Sequence, residues 1–291
     1  MLQSLLRTWL MGAAQRKMRE AATQAAQQAT QRSPADDDHS PPEPNSEAIC
    51  HVGLVFALSI EAGGLIDRLS GVVSTEGAGF VAREGGLHGR RLVLIEAGVG
   101  AEQAAQATQA LILGHRPSWV ISAGFAGGLV DNLAQGDILM ADQIIGTDDR
   151  RLDIDFKFAE NAFSSTRHLH VGRLLTTDRV IAEPKEKRAL GRRYGAMAVD
   201  MESLAVAEAC RREKIRFLSI RVISDTVEHA LPADIDYLIK KRTAAGRLGA
   251  AAGAIFRRPS SVKDMWQLKE DALVASERLA TFVAGIVGQL R

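Results

Sequence analysis

Two short segments constrain this chain more than any others. Ala198-Val199-Asp200-Met201-Glu202-Ser203 is followed about twenty residues later by Arg221-Val222-Ile223-Ser224-Asp225. Each joins an apolar run to carboxylates, and the stretch between them has helical character. This spacing suits a strand, a crossover helix and the next strand, which points to an α/β chain. It places Glu202 and Asp225 near neighbouring strand ends, the edge at which open α/β sheets assemble their sites. One carboxylate there can accept hydrogen bonds while the other acts as an acid.

The rest of the chain repeats the alternation. His51–Ala57, Arg91–Glu96, Trp119–Ala123 and Phe217–Ile223 are apolar, β-rich runs of the kind found in covered strands, and Asp137–Ala141 begins a further extended stretch. Two of the runs end in glycine-rich turns, Ala97-Gly98-Val99-Gly100 and Gly124-Phe125-Ala126-Gly127-Gly128. Helices are expected after Gly100 to about Gly114, from Met201 to about Lys214, and from about Lys263 to Leu290. Strands alternating with helices predict α/β rather than segregated α+β. The folded domain is expected over 48–291.

Residues 1–31 read as an amphipathic helix whose start carries Leu2, Leu5, Leu6, Trp9 and Leu10. It could dock on the domain or on a partner, or lie on a membrane surface. Its thin basic flanks and lack of a cleavage site argue against a secretory signal. Residues 32–47, rich in proline and acid, read as a disordered linker with nothing to bury.

Apolar residues make up 46% of the chain, enough for a substantial core, and 36 basic residues nearly cancel 35 acidic ones. That balance gives no reason to expect nucleic-acid binding. Cys50 and Cys210 form neither a metal cluster nor a disulfide framework, which suits a reduced, cytoplasmic setting. His51, His88, His115, His168, His170 and His229 lack metal-ligand spacing. No metal and no cofactor are expected, and no run is long enough to cross a membrane as a helix. Asp178 and Asp200 read as structural or capping residues.

Five motifs in order, Ala57-Leu58-Ser59-Ile60-Glu61, Ala97–Gly100, Gly124–Leu129, Val199–Glu202 and Ile223–Asp225, resemble the nucleoside phosphorylase superfamily. Within it the chain is most similar to the nucleosidases that cleave methylthioadenosine and S-adenosylhomocysteine. The resemblance spans about residues 51–230. It implies a three-layer α/β/α domain with a mixed, partly barrel-like sheet, a purine nucleoside as small-molecule substrate, and a homo-oligomer. It further implies that Asp225 is the acid facing N7 of the departing base, supported by Ser224. Glu202 would bind the ribose hydroxyls, with Met201 packed against the sugar, and Glu61 would orient the attacking water. Phe125 and Gly127 fall in the substrate-binding segment. Val180 stands near the place of the nucleosidases' purine-stacking phenylalanine.

These roles answer the chemistry of the bond. Its cleavage leaves positive charge on the sugar and negative charge on the purine, so an acid beside the base and a carboxylate beside the sugar both help. Each residue also has a structural alternative: Asp225 as a helix cap, Glu202 as a solvated helix residue, Glu61 as a helix-start charge, and Gly98 and Gly100 as turn formers without ligand contact.

The nucleophile separates hydrolase from phosphorylase. Phosphate needs cationic anchors, yet the first turn, Ala57–Glu61, has no arginine and Ser122 stands where the resemblance would place a second one. Hydrolysis is therefore expected. Phosphorolysis, with Arg83, Arg90, Arg91 or Arg179 as anchors and a lipid-linked adenosyl compound as substrate, is one alternative. A non-catalytic nucleoside-binding protein is the other.

Overall fold

The computed structural model describes residues 50–77, 79–155, 168–231 and 259–290. The helix expected over 1–31, the linker over 32–47 and the domain boundary at 48 lie outside the described residues. In chain order the described elements are β1 (Cys50–Phe56), α1 (Ser59–Ile66), β2 (Ser70–Gly77), β3 (Phe80–Leu87), β4 (Arg90–Glu96), α2 (Ala101–His115), β5 (Pro117–Gly128) and β6 (Ile138–Gly146). They continue with β7 (Arg151–Asp153), β8 (Leu169–Thr176), α3 (Pro184–Tyr194), β9 (Ala198–Asp200), α4 (Ser203–Arg212), β10 (Arg216–Asp225) and α5 (Pro259–Gln289). Among the described residues, no helix is long and apolar enough to cross a membrane.

The apolar runs form the middle of the sheet. β1 lies parallel between β4 and β5, and β10 runs parallel along the other side of β5. From β10 the order continues through β6, β8 and β9, and β9 returns to β5. Five strands thus close into a barrel, while β1, β4, β3 and β2 extend from it as an open wing. The wing ends in antiparallel pairs and the barrel mixes both senses. This is the mixed, partly barrel-like sheet that the resemblance implies.

Helices cover both faces. Leu65 of α1 and Leu279, Val283 and Val287 of α5 share a core with Val52, Leu54, Leu94 and Ile220. On the opposite face Ala104, Ala107 and Leu111 of α2 join Val206 and Cys210 of α4 over Val55, Val93, Ile95 and Val120. The alternation of β1 side chains between these clusters follows the period of a strand. Gly53 lets α2 come close, since a Cβ there would sit 2.6 Å from Leu111 Cδ2.

Several expectations need correction. β9 and β10 are not hydrogen-bonded neighbours; they lie on either side of β5. The segment Gly124–Gly128 is not a turn but the last part of β5, paired with both of them. Helix α4 begins at Ser203, leaving Glu202 as its N-cap, and α5 begins at Pro259.

Candidate active site

Glu61 sits in the first turn of α1, immediately after β1, and is almost fully buried. Its carboxylate folds back on its own turn: Oε2 accepts from the backbone N–H groups of Leu58 (2.8 Å) and Ala57 (3.0 Å). Oε1 accepts from Phe125 N–H of β5 at 2.8 Å. The approach depends on Gly124, where a Cβ would lie 2.8 Å from Oε1. Burial pushes the Glu61 carboxyl up; the three N–H bonds and the Arg221 charge oppose this without cancelling it.

Glu202 reaches the same region from the start of α4. Its Oε1 accepts from Gly100 N–H at 2.8 Å, and Gly100 holds φ at 107° as it opens α2. That conformation favours glycine. Gly100 therefore does more than permit a turn, because its N–H faces the site. Burial, and then the neighbouring Asp200 charge, push the Glu202 carboxyl up to about 8.

Between the two acids lies Arg221, 3% exposed. Its guanidinium donates to Asp200 Oδ2 through Nε (3.1 Å) and Nη2 (2.8 Å). It also donates to Ser122 Oγ and Ser203 Oγ, each at 2.8 Å, and to the Ile220 carbonyl at 3.0 Å. Asp200 is further held by Thr176 Oγ1 (2.7 Å) and Ser203 N–H (2.9 Å), which makes it the structural residue expected. Glu61, Ser122, Phe125, Glu202 and Arg221 line one cavity with about 10 Å³ of room for water. That is the space of about one water molecule.

Asp225 forms a second cluster farther along β5 and β10, and its carboxylate is not part of that cavity lining. Ser224 Oγ donates to Asp225 Oδ1 at 2.7 Å. Lys187 Nζ donates to Oδ2. Gly127 leaves room for this carboxylate, since a Cβ there would be 3.2 Å from Oδ2. The glycines of β5 thus let two acids approach one strand, Glu61 at Gly124 and Asp225 at Gly127. Met201 is buried beside Glu202, and Val180 is half-buried in the turn between β8 and α3; neither lines the cavity.

Sequence reasoning missed Arg221 and Lys187 as site residues. Arg221 interrupts an otherwise apolar strand. Lys187 lies in the buried row Lys187, Gly191, Tyr194 of α3, at helical spacing. A charge in a buried row is the signal that could have found both. Three of the four arginines considered as phosphate anchors are engaged elsewhere: Arg83 pairs with Glu96, Arg91 with Glu84 and Arg179 with Glu186. No group of metal-binding side chains forms among the described residues.

A sequence profile described as the Phosphorylase superfamily matches residues 51–256. The chain belongs to the phosphorylase superfamily. Among curated superfamily relatives, the 5′-methylthioadenosine/S-adenosylhomocysteine nucleosidase of Shewanella loihica is 29% identical over 213 residues, covering 65% of this chain and 92% of the relative. That of Shewanella putrefaciens is 30% identical over 217 residues, with the same coverage. The fold matches the Helicobacter pylori nucleosidase solved with butyl-thio-DADMe-Immucillin-A, with a TM-score of 0.65 at 18% identity over 84% of this chain and all of that one. The Neisseria meningitidis nucleosidase, solved with methylthio-immucillin-A, gives 0.63 at 23% identity, covering 82% and 99% of the two chains.

Proposed function

We propose that this chain hydrolyses the N-glycosidic bond of an adenine nucleoside of the 5′-methylthioadenosine or S-adenosylhomocysteine type. The reading draws on the curated relatives and on the carboxylates around β5. In it, water adds to C1′ as the C1′–N9 bond breaks. Glu61 takes a proton from that water, and Asp225 gives one to N7 of the purine that receives the electron pair. Glu202 binds the ribose hydroxyls, with Met201 packed against the sugar. Phe125, Gly127 and Val180 belong to the substrate's surroundings.

The observation that carries hydrolysis is the cavity between Glu61, Glu202 and Arg221. It has room for about one water and presents two acids. The single cation in its described lining, Arg221, is already neutralised by Asp200. A phosphate dianion there would find no unpaired cation in that lining to compensate its charge in a desolvated site. Water held by Glu61 within about 3–3.5 Å of C1′ would be poised to attack.

Base release measured across a phosphate series, with the sugar product identified, tests this reading. The expected result is free sugar at a rate indifferent to phosphate, and loss of nearly all base release in Glu61→Gln. A rate that requires phosphate and yields a sugar 1-phosphate would replace hydrolysis by phosphorolysis. Binding without turnover would make the chain a nucleoside-binding protein.

The setting that accompanies the proposal is a reduced cytoplasm and a homo-oligomer. Cys50 and Cys210 fit the first, because burial pushes both thiols up to about 12 and leaves them inert.

A further inference from the structure

Lys187 has no solvent exposure. Lysine is almost never fully buried unless it is paired, and an ammonium offers three donors. Here each has an acceptor: Asp225 Oδ2, the Thr226 carbonyl at 3.0 Å and the His229 carbonyl at 2.8 Å. One group therefore ties the carboxylate to the backbone that follows it. Ser224 Oγ holds the other oxygen at 2.7 Å. With both oxygens engaged, the carboxylate cannot turn without breaking a hydrogen bond. Lys187 itself lies behind Asp225, out of contact with solvent.

We propose that Lys187 is a positioning residue for protonation of the leaving base, acting through Asp225. The inference rests on the reading of Asp225 as the acid facing N7. Asp225 enters that step protonated, its proton taken from solvent water; its O–H bond breaks, an N7–H bond forms, and the C1′–N9 electron pair passes to the purine. The carboxylate left behind carries a full negative charge in a nearly closed site. The Lys187 ammonium, fixed against Oδ2, stabilises that charge, so it favours the state reached after proton transfer. Ammonium facing carboxylate is the arrangement to which the pair returns.

The test compares Lys187→Met and Lys187→Arg with the parent on two substrates, 5′-methylthioadenosine and p-nitrophenyl β-D-ribofuranoside. The second releases a stable phenolate that needs no proton. General acid catalysis contributes roughly 10²–10⁴-fold. Lys187→Met should therefore lose about tenfold or more in kcat on the nucleoside and much less on the p-nitrophenyl riboside, and Lys187→Arg should recover part of the loss. Equal losses on both substrates would overturn the proposal.

Lys187→Met leaves the Asp225 charge buried without its cation and so endangers folding. The double variant Asp225→Asn/Lys187→Met removes both charges and supplies an independent test. It should be no slower than Asp225→Asn alone, because Lys187 has nothing left to act through. An additional, multiplicative loss would overturn the inference. Crystal structures read the positioning without turnover: the Asp225 side chain should be displaced when Lys187 is replaced by Met and restored with Arg. An unmoved Asp225 counts against Lys187, whereas a parent that releases no base counts against the proposed function.

Discussion

Asp225, Glu61 and Glu202 are acids held by different partners, and the partners decide what each can do. Asp225 has a lysine and a serine, Glu61 has three backbone N–H groups, and Glu202 has one. Asp225→Asn should still fold, since the amide oxygen can accept from Lys187, but with a lower melting temperature because the buried ammonium loses its counter-charge. It should lose roughly 10²-fold or more in turnover, because it has no carboxylic proton to give. Thermal melting and base release measured together check this; near-parental turnover would remove Asp225 from the reaction.

The charge on Glu202 should also be visible in stability. Its carboxyl keeps a proton up to about pH 8 in the folded chain, against 4.5 for an ordinary glutamate. Between those values the folded state holds more protons than the unfolded one. Stability is therefore greatest below the window and falls as pH rises through it, by at most about 1.4 kcal/mol per pH unit. Glu202→Gln has no such proton to lose, so its melting temperature should fall less between pH 5 and pH 8. Identical slopes for the two proteins would show that Glu202 ionises as it does in water.

These three acids were legible as site candidates because each follows an apolar strand. Arg221 and Lys187 were not, because their partners Asp200 and Asp225 are distant in sequence and meet them only after folding.

At the scale of elements, the Asp200–Arg221 pair joins β9 to β10, and Asp200 also accepts from the first N–H of α4. Removing one partner of a buried pair costs about 3–5 kcal/mol, since the other charge is left uncompensated. Asp200→Ala should destabilise the protein on that scale in denaturant titrations. A loss below about 1 kcal/mol would mean that water or Glu202 takes over the guanidinium. The covered strands β1, β4, β5 and β10 were readable as apolar runs. β2 was not, because its residues are all exposed and its sequence, Ser70–Gly77, has no apolar side to display. β9 is only three residues long and is defined by its pairing with β5 and β8 rather than by its own sequence. The glycines of β5 misled for a physical reason. Gly124 and Gly127 are the mark of a turn in sequence, but here the absent Cβ atoms admit two carboxylates to the side of a strand.

Across the whole molecule, alternation of strand and helix announced an α/β chain, but nothing local announced closure of the barrel. Closure requires β5 to run for twelve residues, long enough for β1 and β10 to pair along it and for β9 to pair at its end. Such long-range pairing has no short sequence pattern. Among the described residues the core starts at Cys50: β1 supplies its first strand, and α5 closes one face over α1. Every acid and cation described in the site, from Glu61 to Asp225, also lies within that span. A chain beginning at Ala48 should therefore fold with a melting temperature close to that of the full-length protein. It should also release base from soluble adenine nucleosides at close to the full-length rate. Circular dichroism melts and the base-release assay on both chains check the two statements separately. A shortened chain that unfolds would make the first 47 residues part of the core. One that folds but is inactive would place a contribution to the site within them.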